Sequence, residues 1–192
     1  MLRTLQNMLM APARRLMPRA AHRFARAEEA AVAVEFALVA APFLALIFAI
    51  METALVFFAG QNLEAAATGA GRMVMTGQAQ TAGYTTAAQF KDNVVCPALG
   101  SGSLFTCADV QVDVKTYTDF SSITSDNTPP VKDGELDTTK MGYTPGAAGD
   151  IVVVRLYYEW PIYLSLLNDS LSNLSNHRRL LVATSVFRNE PF

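Results

Sequence analysis

The chain has 192 residues, 51% of them hydrophobic and 17% charged, and a formal net charge of −2. That length holds one domain, or one small domain with an appendage, and leaves no room for several large ones. Two histidines and two cysteines leave few groups from which a nucleophile–base pair or a metal centre could be built.

The charge is unevenly spread. Residues 1–30 form a basic leader in which six arginines (Arg3, Arg14, Arg15, Arg19, Arg23, Arg26) face only Glu28 and Glu29. These arginines lack interleaved aromatics and precede an apolar run, so holding membrane orientation is a plainer role for them than nucleic-acid binding. Pro12 and Pro18 interrupt the first twenty residues, and helical patterning begins near Arg23.

Residues 31–59, AVAVEFALVAAPFLALIFAIMETALVFFA, are the candidate membrane span. From Phe36 to Ala59 a helix would rise roughly 36 Å, more than the ~30 Å hydrocarbon core of a bilayer. The run is about twice the length of a secretory signal core, which favours a retained anchor. Ala33, Ala37, Ala41, Ala45, Ala49 and Thr53 recur every fourth residue and place small side chains on one ridge, where a second helix can approach closely. Pro42 is expected to kink or loosen the helix locally. Two acids interrupt this apolar stretch, and carboxylates at membrane depth tend to mark function. Glu35 stands at the inner boundary, where a charge can snorkel towards water. Glu52 admits three readings: neutral, paired with a group on a partner, or close to the outer interface.

Residues 60–80 continue the helix in more polar form, with Gly77 as its C-terminal stop. One long helix is therefore expected from about Arg23 to about Thr76. Residues 81–192 read as an exported domain, acidic by twelve carboxylates to eight bases over 73–192. A short helix is expected over Thr85–Val95, ending at Cys96-Pro97. Alternation at Val110, Val112 and Val114 predicts a strand ending near Phe120. Residues 121–149 are rich in proline, glycine and small polar residues and read as a long loop. Ile151–Trp160 is the strongest strand, stopped by Pro161; one or two helical turns are expected over Ile162–Leu167, and a last strand over Arg179–Arg188. The fold class is α+β: a long N-terminal helix packed on a small antiparallel sheet of three, at most four, strands.

Cys96 and Cys107 both follow the span and have a turn-rich connection, which fits a loop-closing disulfide in an oxidising compartment. A metal pair is disfavoured because His22 and His177 are far off in sequence. Asp126, Asp133, Glu135, Asp137 and Asp150 match no calcium-loop spacing and read as a solvated acidic loop. No serine elbow or phosphate-cradling glycine loop is present. Neither a catalytic residue nor a cofactor is assigned.

The stretch AVAVEFALVAAPFLALIFAIMETALVFFAGQNLEAAATGAGRMVMTGQAQ and the closing LVATSVFRNEPF resemble the TadE-like proteins of the tight adherence (Tad, Flp) pilus system. That resemblance implies a pseudopilin-like or minor-pilin-like protein, pilin-like in layout, non-catalytic, and required to assemble the pilus used in adhesion. It implies a single pass through a bacterial inner membrane, with a cytoplasmic N-terminus and a periplasmic or extracellular domain. The implied partners are the bilayer, other assembly proteins and pilin subunits engaged through the helix, and a prepilin peptidase. Glu35 would then be the fifth residue of a mature chain cut between Ala30 and Ala31. Such cuts usually follow glycine, whereas Ala30 follows Glu28 and Glu29, so processing stays open. A membrane-tethered binding domain with a passive anchor is the alternative reading.

Overall fold

A computed structural model describes residues 28–100, 104–124, 128–164 and 167–192. The leader up to residue 27, and Asp126 in the acidic segment, lie outside the described residues. The chain divides into two units, residues 1–47 and 48–192.

Helix α1 (Glu28–Met75) is unbroken for 48 residues and continues through Pro42. In the first unit its described side chains are almost all exposed, including Val34, Phe36, Leu38, Val39 and Phe43.

Within the second unit that pattern changes. From Glu52 onward one stripe of α1 is buried: Glu52, Val56, Ala59, Leu63, Ala66, Ala67, Ala70 and Val74. Steps of three and four residues align these positions on one helical face. That face packs against an antiparallel sheet of order β1-β4-β5, formed by β1 (Gln111–Tyr117), β4 (Ile151–Pro161) and β5 (Arg178–Arg188). The three-stranded expectation is met.

Strand β4 is central, pairing Val114 with its Val154 and Ala183 with its Leu156. Both faces of β4 are covered, so Val152 through Tyr158 are all buried. This explains why IVVV reads as a continuous apolar run where a half-buried strand would alternate. Val152, Val154, Leu156, Tyr158 and Trp160 join the helix in the main core, while Tyr157 packs with Leu174 and Leu180 in a smaller cluster. The helix and sheet approach closely at Gly71, where an added Cβ would lie 2.6 Å from Ser185 Oγ and 2.9 Å from the Phe187 ring.

Several local expectations are corrected. The helix expected to end at Cys96-Pro97 continues. After α2 (Gln78–Thr81), α3 (Ala87–Phe90) widens into a π-turn over Lys91–Val95 and resumes as α4 (Cys96–Leu99). Pro97 lies in the first turn of α4, a position where its missing N–H costs little. Strand β1 ends at Tyr117, short of Phe120, which opens α5 (Phe120–Thr124).

The segment 121–149 is not one loop. It contains a hairpin of β2 (Val131–Lys132) and β3 (Glu135–Leu136), a 3-10 turn at Thr138–Lys140, and a parallel bridge from Tyr143 to Val114. The hairpin turns at Asp133-Gly134, both at positive φ (55° and 79°), the backbone state that an Asp-Gly pair favours in a two-residue turn.

Two further differences lie around Pro161. Of the helical turn expected at Ile162–Leu167, residues 165–166 lie outside the described residues, and the described helix is α6 (Asn168–Leu171); β5 begins at Arg178, one residue early. Residues 162–164 carry no regular structure, because Tyr163 and Leu164 direct their N–H groups to a side chain described below.

The C-terminal tail closes the domain. Glu190 N–H donates to Met75 O at 2.9 Å, capping the last turn of α1. Buried Asn189 donates through Nδ2 to Pro145 O and Ala147 O, both at 3.0 Å. Phe192 lies against Gly77, whose φ of 73° and crowded Cβ position suit glycine.

Candidate assembly helix and its Glu52 junction

The residues singled out in the sequence lie along α1 in two different environments. Ala30 is in the helix, and Ala31, Ala33, Glu35, Ala37, Ala41 and Ala45 are exposed. Ala49 and Thr53 are half-buried, and Thr53 donates its hydroxyl back to Ala49 O at 2.8 Å. The small-residue ridge therefore lies open over its first four positions, where neighbouring positions carry bulky, exposed Val34, Phe36, Leu38 and Phe43. Such a surface has no driving force to hide in hydrocarbon, yet it allows a second backbone to approach closely. The most apolar window of the helix has a mean hydropathy of 2.4, and none of it is buried. By length and composition it can cross a membrane.

Glu52 differs from Glu35 in kind. It is only 5% exposed, and its carboxylate takes two successive backbone donors: Tyr163 N–H on Oε1 at 2.7 Å and Leu164 N–H on Oε2 at 2.9 Å. Pro161 ends β4, and the chain turning away leaves the Tyr163 and Leu164 amides without a ladder partner, to be satisfied elsewhere. The carboxylate of α1 supplies both acceptors in charge-assisted bonds, each contributing about 1.5–3 kcal/mol. Glu52 thus joins the helix to a segment 111 residues further along the chain. Its oxygens are engaged within its own chain. No spacing rule relates positions 52 and 163; the one hint in the sequence is a proline that ends a strand beside an otherwise unexplained acid.

This geometry divides the apolar stretch. Residues 31–51 carry no buried side chain, whereas Glu52, Val56 and Ala59 are buried in the domain core. The uncovered 21 residues correspond to about 32 Å of helix, close to the thickness of a bilayer core.

Cys96 and Cys107 form the disulfide, with Cα atoms 5.7 Å apart, inside the usual range. An oxygen of Asp92 lies within 4.8 Å of both sulfurs, but the sulfurs are bonded to each other and present no thiolate for a metal. On the sheet face opposite α1, buried Asp113 approaches Lys115 at 3.2 Å and Arg155 at 3.8 Å, and accepts Gly142 N–H at 2.8 Å. This charged group ties β1, β4 and the connection after the 3-10 turn together.

Of the acidic segment's described members, Asp137 accepts the Thr139 hydroxyl and backbone N–H. Those bonds, with Lys140 and Lys132 nearby, hold its carboxyl below the usual aspartate range. Asp150 accepts Ala147 N–H at 2.8 Å. Asp133, Glu135, Asp137 and Asp150 are spread over a turn, a strand and two loops.

The comparisons with known proteins agree with the layout of α1. The family model described as TadE-like protein matches residues 30–72, from the start of the exposed apolar stretch through all but the last position of the stripe packed on the sheet. No curated protein and no solved structure matches the chain.

Proposed function

We propose that this chain, which carries a TadE-like segment over residues 30–72, is a membrane-anchored, minor-pilin-like component of Tad pilus assembly. The family ties it to assembly of that pilus, and TadE-like components are in general structural rather than enzymatic. The observation that carries the reading is the matched helix itself: a long apolar surface with open small positions and exposed Glu35, continuous in sequence with the helix face that holds a folded domain.

In this reading the helix crosses the inner membrane with its N-terminus in the cytoplasm and presents Ala33, Ala37, Ala41 and Ala45 to neighbouring pilus components. Glu35 pairs with the free amine of a neighbouring subunit once a peptidase has cut between Ala30 and Ala31. At an effective dielectric of about 20, such a pair at 4 Å attracts by roughly 4 kcal/mol before desolvation. That sets register, while close helix packing supplies the adhesion.

The test combines two measurements. The mature N-terminus, read by mass spectrometry, is expected at Ala31. Glu35→Ala is expected to leave the protein made and inserted while pili disappear; normal piliation in that variant refutes the assembly role. A generic polyleucine span separates an assembling helix from a passive tether. The swap is confined to residues 36–51, because Glu52, Val56 and Ala59 belong to the domain core.

A further inference from the structure

We propose that the groove between α1 and the start of β5 is a binding site for an anionic phospholipid, which holds the base of the domain on the bilayer surface. The inference rests on the membrane-anchor reading above. The groove encloses ≈ 380 Å³ and is bounded by Thr53, Phe57 and Gly60 on α1 and by Leu171, Arg179 and Val182 across from them.

Its position selects the occupant. Thr53 lies two positions beyond the uncovered 21-residue stretch of α1, just after buried Glu52, so the groove begins where a helix of that length leaves hydrocarbon. The same end of the domain exposes aromatic rings, Phe57 at 70% and Tyr163 at 73%, as proteins do at headgroup depth. Gly60 opens the groove, for nothing lies within 4 Å of where its Cβ would be.

Its chemistry matches a phospholipid in two parts. Phe57 and Val182 form an apolar wall for the upper part of an acyl chain. Arg179 supplies the cation at the groove edge. Its Nη1 donates to Leu171 O at 2.9 Å, which fixes the guanidinium, and its planar fork suits a phosphate. Among the described residues, Glu159 pairs with Arg178 at 3.9 Å, and the Glu52 carboxylate is taken up by the Tyr163 and Leu164 N–H groups. A neutral apolar partner would need no cation here, whereas a phosphodiester uses both halves of the groove.

The full chain is reconstituted in nanodiscs of phosphatidylglycerol and phosphatidylcholine, and retained lipid is measured by native mass spectrometry after release. The wild type is expected to keep one phosphatidylglycerol in preference to phosphatidylcholine. Gly60→Leu fills open space and Arg179→Gln removes the charge; each is expected to lower that occupancy about tenfold or more. Unchanged thermal unfolding of Gly60→Leu shows that the fold is intact.

Equal retention of both lipids, retention unaffected by both variants, or no retained lipid overturns the proposal. A Gly60→Cys chain that cross-links to a second copy and retains no lipid overturns it in favour of a protein neighbour. Alkaline carbonate extraction distinguishes the two levels of failure: release from membranes refutes the anchor and this site together. Integration without retained phosphatidylglycerol refutes the site alone.

Discussion

Replacing Glu52 tests the junction between α1 and the segment after β4. Its carboxylate is buried and accepts the Tyr163 and Leu164 N–H groups at 2.7 and 2.9 Å. Glu52→Ala removes both acceptors and leaves two part-buried backbone donors without them. At about 1–3 kcal/mol for each unsatisfied donor, partly offset by water entering the space, the loss is roughly 3–5 kcal/mol. Glu52→Gln keeps one acceptor oxygen and introduces an N–H₂ facing a donor, for a loss of about 1–2 kcal/mol.

At 2–4 °C per kcal/mol for a domain of this size, the alanine variant is expected to melt roughly 6–20 °C lower, with the glutamine variant between it and wild type. Thermal unfolding of the full chain in detergent measures this, and hydrogen exchange at Tyr163 and Leu164 localises it. If Glu52→Ala melts with the wild type and both amides keep their protection, the carboxylate is not the acceptor and the junction is misassigned. A variant that keeps its melting temperature but loses pili would move Glu52 to the assembly surface.

Other outcomes follow from the same structure. Cys96→Ser, or reduction, opens a loop of sequence separation 11 and is expected to cost about 3 kcal/mol, read as a lower urea midpoint; an unchanged midpoint refutes a structural role for the bond. Gly71→Leu drives a side chain into Ser185 and Phe187 and is expected to cost about 1–3 kcal/mol by overpacking, whereas Gly69→Leu, with nothing within 4 Å of its Cβ position, should not. Tyr143 has its hydroxyl buried without a partner among the described residues, and burial pushes its pKa up from 10.0 to about 12. Because the folded state holds the neutral phenol, its stabilisation is complete below about pH 10 and is lost as pH rises towards 12. Tyr143→Phe is therefore expected to be near neutral at pH 7 and to flatten the alkaline loss of stability between those values; an unaltered alkaline profile counts against it.

Local physical rules made much of this protein legible from its residues. The apolar run, the alternation around Val112 and the IVVV strand follow from helix and strand periodicity, and the cysteine pair follows from spacing and compartment. The hairpin at Asp133-Gly134 was equally available, since an Asp-Gly pair between short extended runs is a local turn signal; the surrounding prolines and glycines obscured it. Glu35 was marked by its immediate neighbours.

Glu52 is the opposite case. Its chemistry, a carboxylate in an apolar stretch, was visible, but its role depended on Tyr163 and Leu164, residues that no pattern in the chain places beside it. Asn189 went unnoticed for the same reason, as its partners Pro145, Ala147, Gly149 and Asp150 come beside it only in the folded domain. The sequence alone determined that an apolar helix leads into an α+β domain, because periodicity and composition act over neighbouring residues. Only tertiary packing decided where that helix ceases to be bare and becomes part of a core, because backbone donors orphaned at one end of a sheet must find their acceptor wherever the fold brings one.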